Sequence, residues 1–288
     1  MSPAAVVRPS TGAARTPALP GVGAVGLRRI GYETRAHFRV VDHVFFSFLF
    51  PVMMFLLFAA IFGQQGELGA APDGTGGISF ASYYLTSMLA AGLLLSGTQT
   101  LAIDIAIEKH EGTLARLGNT PMSPISFFIG KLGQVFVTGT AQAAVLVLVA
   151  VLGFGVQLPT EPGRWLTFAW LFLLGTAVFG VLGIALSALP RSGKSATAVV
   201  LPPVLILQFI SGVYLPFSQL PDWLQQLAAL FPLKWLAEGM RGVFLPEHFA
   251  AAEPSGVWDC GLIALVLGGW LVLGLVVCLL TFRWQRRG

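Results

Sequence analysis

Charge is what this sequence has least of. Lys and Arg together number 17 and Asp and Glu 13, so charged residues make up 10% of the chain against 55% hydrophobic. A soluble domain carries about 25% charge. Histidine is also sparse, at four residues, and there are two cysteines, Cys260 and Cys278. Both lie on one apolar run, and at helical rise they stand roughly 27 Å apart, too far to pair with each other. The apolar stretches hold no Ser/His pair, no paired Asp and no HExxH zinc motif, so hydrolytic chemistry at membrane depth is excluded. They also lack an ionisable relay of the kind proton-coupled transporters need. The expectation is a chain with no catalytic residues and no metal of its own.

The missing charge leaves long gaps. No Asp, Glu, Lys or Arg occurs between Asp73 and Asp104, Lys131 and Glu161, Arg164 and Arg191, or Lys194 and Asp222. Each gap exceeds the roughly 20 apolar residues that carry a helix across the hydrocarbon core. Two shorter runs complete a set of six expected spans, at about 45–62, 79–102, 130–156, 165–188, 196–216 and 260–282. The first is the weakest because it is short and contains Pro51. With both termini in the cytoplasm, 14 of the 17 basic residues fall inside, and only Arg164, Lys234 and Arg241 fall outside. Such a bias fixes orientation, and it also accounts for the net charge of +4 without nucleic acid. The resulting expectation is an all-α, multi-pass protein of the plasma membrane, bacterial in character. A disordered cytoplasmic tail over residues 1–25 precedes a single membrane domain over 26–288.

Three segments outside the spans carry pattern. In Gly26 to Val44, Leu27, Ile30, Thr34, Phe38 and Val41 recur at steps of three and four, with Arg28, Tyr32, Arg35 and Arg39 opposite. Such a helix lies in the membrane interface, with Arg28, Arg29, Arg35 and Arg39 among lipid phosphates. Between spans two and three, Ile103, Ile107, His110, Leu114 and Leu117 share a helical face. Gly118-Asn119 and Pro121 stop the helix, and Ser123-Pro124 starts the next one as N-cap and first residue. This short charged helix, roughly Ile105 to Gly118, reads as a docking element. Between spans five and six, Leu220, Trp223, Leu224 and Leu227 form an apolar edge too short to cross the membrane. Trp223 and Trp235 suit an interface, and Glu238 and Arg241, three apart, are spaced to pair.

Two of these segments carry a family resemblance. Glu108 to Pro121 reads EKHEGTLARLGNTP, and Glu108, Glu111, Gly112, Thr113, Leu114, Leu117, Thr120 and Pro121 resemble the cytoplasmic loop of ABC type-2 exporter permeases. His110 departs from the basic residue common there. Ser211 to Phe244 is similar to that family's outer re-entrant segment at Gly212, Pro216, Leu220, Pro221, Trp223, Leu224, Leu227, Pro232, Leu233, Glu238 and Arg241.

The resemblance implies a permease subunit of an ATP-driven exporter, working as a homodimer or close heterodimer. It further implies two separate ATPase subunits that bring ATP and Mg. A coupling helix carrying Glu108, Lys109, His110, Glu111, Gly112, Thr113, Leu114, Arg116, Leu117, Thr120 and Pro121 would seat in the ATPase. The face from Arg28 to Arg39 would flank that contact. Pro221, Trp223, Leu224, Pro232, Glu238 and Arg241 would form an outer gate.

The apolar spans suggest a drug, lipid or glycolipid as cargo. Gln99, Gln134, Thr138, Gln142 and Gln208 are path candidates, as are Thr100 and Thr140, and all of them equally suit interhelical hydrogen bonds. Leu95-Ser96-Gly97-Thr98-Gln99 imitates the ATPase signature, but mid-span it reads as small residues for close packing. Ser192-Gly193-Lys194-Ser195 imitates a phosphate loop without the preceding strand, and reads as a turn. An ion-coupled carrier and a non-transporting membrane assembly or sensor subunit are the rival classes.

Overall fold

A computed structural model of the chain describes residues 21–69, 76–253 and 256–281. Its described residues are almost wholly helical, and their sole β feature is an isolated bridge between Leu68 and Ile78. The first helix, α1, spans Val22–Arg39. Six helices long and apolar enough to cross a membrane follow: α2 Val41–Phe62, α3 Phe80–His110, α5 Pro124–Phe154, α6 Pro162–Leu186, Gly193–Ile210 and Cys260–Thr281. The fifth opens with a 3-10 turn at Gly193–Ser195 and continues as α7, Ala196–Ile210, and the sixth is α10. Short α4 (Thr113–Gly118) joins α3 to α5, while α8 (Asp222–Ala228) and α9 (Pro232–Phe244) lie between α7 and α10. The six expected spans are therefore present. The expected tail over 1–25 falls mostly outside the described residues, and its last part, from Val22, is helical.

Helix α3 is the axis. It is apolar all round, as a helix enclosed on every side must be, and nearly every residue from Phe80 to Ala102 is buried. Helices α2, α5, α6 and α9 pack around it, and α10 closes against α6. Within α3, Leu95–Thr100 forms a π-helical segment. Gly97 there meets Gly183 of α6 so closely that a Cβ on Gly183 would strike the Gly97 carbonyl oxygen. The Thr98 hydroxyl donates to the Phe179 carbonyl at 2.9 Å. The stretch that imitates an ATPase signature is thus a packing surface of small residues. A second π segment, Phe45–Leu49, precedes Pro51 in α2 and lies against the first.

The two ends of the bundle differ. At one, α1 lies against α5 through glycines: an added Cβ would fall 2.8 Å from Ile129 at Gly26 and 2.6 Å from Arg29 at Gly130. Val40, in extended conformation, breaks α1 from α2. At the other end, α9 packs on α3 and α6. The Tyr83 and Tyr84 hydroxyls of α3 donate to the carbonyls of Gly212 and Tyr214, at 2.9 and 3.1 Å, fastening the turn after α7.

Candidate functional site at the arginine-rich end

The long α3 helix stops at His110. Gly112 takes a left-handed conformation (φ 76°), which glycine adopts without a Cβ penalty, and α4 restarts at Thr113. The single helix expected over Ile105 to Gly118 is therefore two pieces hinged at Glu111-Gly112. The expected stop and restart do occur. The Thr120 hydroxyl donates to the Leu117 carbonyl at 2.6 Å, and the Ser123 hydroxyl accepts from the Ile125 amide at 3.2 Å as the N-cap of α5.

The hinge sorts its side chains. Lys109, His110, Glu111, Arg116, Thr120 and Pro121 face out, Thr113 and Leu117 are half-buried, and Leu114 is buried. Arg116 donates to the Thr113 hydroxyl at 3.2 Å. His110 Nε2 lies 3.2 Å from the Pro190 carbonyl, and Gly193 sits against Ile107 and His110. The Ser192–Ser195 stretch is accordingly a capped turn bracing α3, with each serine hydroxyl accepting from the other's amide.

Glu108 does not join the exposed set. It accepts from Lys131 Nζ at 2.6 Å, and Lys131 also pairs with Glu33 of α1 at 2.8 Å. Arg29 closes on Glu33 at 2.7 Å, its guanidinium 4.9 Å above the Phe127 ring and its Nη1 near the Met122 sulfur. Lys131 is 3% exposed. It is the eighth residue of α5, about two turns in from Pro124. Two cations and two carboxylates from α1, α3 and α5 thus form one buried cluster.

Beside it lies a second group. His43 Nε2 pairs with Asp104 at 2.9 Å, and Gln134 Nε2 donates to His37 Nδ1 at 3.1 Å. The two imidazoles lie 5.3 Å apart. Burial and the neighbouring His43 push the His37 pKa down to about 4, so the ring is neutral at physiological pH.

The sequence reading missed this cluster. Glu33 is the sole acidic residue on a basic helix and falls four residues after Arg29. Lys131 is the sole charge in a long apolar run, and such a charge needs a partner. Those two oddities were the available signal. Arg29 is correspondingly misassigned: it turns inward, leaving Arg28, Arg35 and Arg39 with Tyr32 on the exposed basic face. Leu27 and Phe38 are exposed along one flank, and the buried face of α1 is Gly26, Glu33 and His37.

At the opposite end the expected Glu238–Arg241 pair gives way to two others. Lys234 pairs with Glu238, one turn along α9, and Arg241 Nε pairs with Glu253. Glu238 still acts on Arg241 through its charge. Both lie on α9, which is buried on nearly every side. Pro221 starts α8 and Pro232 starts α9, while Trp223 is exposed and Leu224 half-buried.

The path candidates Gln99, Gln134, Thr138, Gln142 and Gln208 are all buried within the single chain. They do not converge. Gln134 and Thr138 adjoin His37, the Gln142 amide presses on Gly92, and Gln208 accepts from the Tyr214 hydroxyl at 2.7 Å. Thr100 is also buried, and Thr140 faces out.

A family model described as ABC-2 type transporter matches residues 32–245, well over half of the chain, from α1 to the end of α9. The chain belongs to the ABC-2 type transporter family. Among curated relatives of this ABC-2 chain, "Probable multidrug ABC transporter permease YbhR" of Escherichia coli is 20% identical over 191 residues. That alignment takes in 66% of this chain and 51% of the relative. "Probable doxorubicin resistance ABC transporter permease protein DrrC" of Mycobacterium tuberculosis is 28% identical over 166 residues, 56% and 57% of the two chains. "Putative transport permease YvfS" of Bacillus subtilis is 24% identical over 230 residues, 78% and 79%. The match thus spans about half the length of the first two relatives. Together with the six apolar helices, the family makes this a multi-pass membrane protein.

Proposed function

We propose that this chain is the permease subunit of an ATP-driven exporter, energised by separate ATPase subunits that dock at the arginine-rich end. The observation carrying this reading is the hinged α3–α4 elbow. It shows Lys109, His110, Glu111 and Arg116 to the outside, while Glu108 ties it to Lys131 of α5, which in turn holds Glu33 of α1. A docked partner pushes on the exposed part, and the Lys131 cluster passes the push to two helices at once. ATP and Mg belong to the partner. The elbow end faces the cytoplasm, as the 14-of-17 basic bias requires, and both termini lie on that side.

Helix α1 rests in the interface with Arg28, Arg35 and Arg39 toward phosphates. Helices α8 and α9 are re-entrant and cap the outer side. Two copies of the chain work with two ATPases in the plasma membrane of a bacterium, and the cargo is hydrophobic or amphipathic. The relatives' names, multidrug and doxorubicin resistance, support that cargo class. The test is co-purification with a candidate ATPase. Glu111→Lys and Arg116→Glu are expected to weaken recruitment by about tenfold or more. Unchanged recruitment in both variants would sink the docking proposal.

A further inference from the structure

The outward face of α5 and α6 holds a groove of about 640 Å³, with walls that include Phe136, Ala144, Val147, Val151, Ala169 and Phe172. From Phe136 to Val151 it follows roughly 22 Å of helix. That exceeds the depth of one leaflet, about 15 Å, half of the hydrocarbon core. At the α8–α9 end of the bundle the groove reaches Leu158, which it shares with a second hollow of about 600 Å³. This hollow is polar, bordered by Glu67, Ser79, Gln157, Thr160, Glu161 and Arg164. Trp165 stands between the two. Its Nε1 donates to the Pro159 carbonyl at 2.9 Å, and its ring sits edge-on to Phe168 and Phe244. Indole rings settle at the membrane–water boundary, which puts the apolar groove among acyl chains and the polar hollow at headgroup depth.

The charges in the hollow are specific. Arg164 Nη1 donates to the carbonyls of Leu245 and Val243, at 2.7 and 3.3 Å. Its Nε lies 3.4 Å from Glu161, and its Nη2 donates to Glu247 at 3.3 Å. A guanidinium carries five N–H donors, so one is left over. Glu67 and Glu161 outnumber the one cation on the hollow's border, so it is net negative around a single fixed guanidinium, which Glu247 reaches from outside the border.

We propose that groove and hollow together bind a membrane phospholipid whose headgroup carries a primary ammonium beside its phosphate. One acyl chain runs along the groove between α5 and α6, the phosphate takes the spare donor of Arg164, and the ammonium sits among Glu67 and Glu161. An anionic headgroup without the ammonium meets Glu67 and Glu161 with no positive charge to offer them. A second copy of the chain, docked by the same face, sets these carboxylates against their own image. This site involves no ATPase and stands apart from the export reading.

The experiment uses the purified full chain in lipid nanodiscs, with a phosphatidylethanolamine probe bearing a photoreactive diazirine in its acyl chain. Adducts are mapped by mass spectrometry. Labelling is expected on the groove walls of α5 and α6, with phosphatidylethanolamine competing about fivefold better than phosphatidylglycerol, the scale of an exposed ion pair. Ala144→Trp and Ala169→Trp, which fill the groove from opposite walls at exposed positions, should each abolish labelling with thermal melting unchanged. The double change Glu67→Gln with Glu161→Gln should keep the labelling and erase the headgroup preference. Equal competition by the two lipids overturns the proposal, as does labelling that survives both tryptophans. Competition by an amphiphilic amine without phosphate, as strong as that of phosphatidylethanolamine, overturns the phospholipid assignment.

Discussion

Lys131 holds two carboxylates from different helices with almost no help from water. Removing the charge while keeping the volume, as in Lys131→Met, leaves Glu108 half-buried with no cation and Glu33 with Arg29 alone. The expected cost is about 3–5 kcal/mol, read as a loss of thermal stability of the detergent-solubilised chain. Glu108→Gln leaves Lys131 its partner Glu33 and should cost clearly less. His37 gives a second test at this scale. Its pKa is about 4 in the fold against 6.5 for the ordinary imidazole, held down by burial and His43. The unfolded chain therefore binds the proton more readily. The fold is unpenalised above pH 6.5 and loses stability as pH falls from there toward 4. His37→Gln should flatten that part of the stability–pH curve, measured by melting at a series of pH values.

At the level of helices, the α3–α6 contact rests on two glycines with no room between them. Gly183→Ala forces α6 off the Gly97 carbonyl and should destabilise by about 1–3 kcal/mol or more. Gly193→Ala, where the nearest atom stands 3.6 Å from the added carbon, should melt as the unchanged chain does. The spans themselves were legible in the sequence because a membrane leaves charge-free gaps that nothing else produces. The N-cap at Ser123 and the stop at Gly118 were legible because capping chemistry is local. The break at Val40 was not, since an extended valine carries no mark in composition. Nor was the kink at Gly112, which falls inside a helical face continuous from Ile103 to Leu117. The inward turn of Glu108 depends on Lys131 arriving from another helix, and no spacing along the chain encodes it, whereas Arg29 turns in on Glu33, four residues along its own helix. Glu238 and Arg241 have the right interval for each other, yet Lys234 and Glu253 take them instead.

For the whole molecule, the two cysteines report which way it sits. Cys260 is exposed at the start of α10, on the α8–α9 side, while Cys278 is buried, with its thiol donating to the Val181 carbonyl at 3.3 Å. A membrane-impermeant maleimide added to intact cells should label Cys260 alone, and Cys260→Ser should remove the signal. Labelling only after the cells are opened would reverse the orientation proposed above.

The π segment in α3 has a consequence at this scale. Wide turns of this kind hold one more residue than the α-helix needs, and each residue of an α-helix advances the chain by about 100°. The segment from Leu95 to Thr100 thus takes up one residue while the helix beyond Thr100 keeps the phase of an uninterrupted α-helix. Deleting one residue there would tighten the turn into ordinary helix and leave Asp104 and Glu108 facing His43 and Lys131. The same deletion in the ordinary helix before it, between Phe80 and Leu94, would swing Asp104 and Glu108 by about 100° away from His43 and Lys131. A codon lost from ordinary helix is a rotation delivered to the far end of a shaft, and one lost from the wide turn is absorbed where it falls.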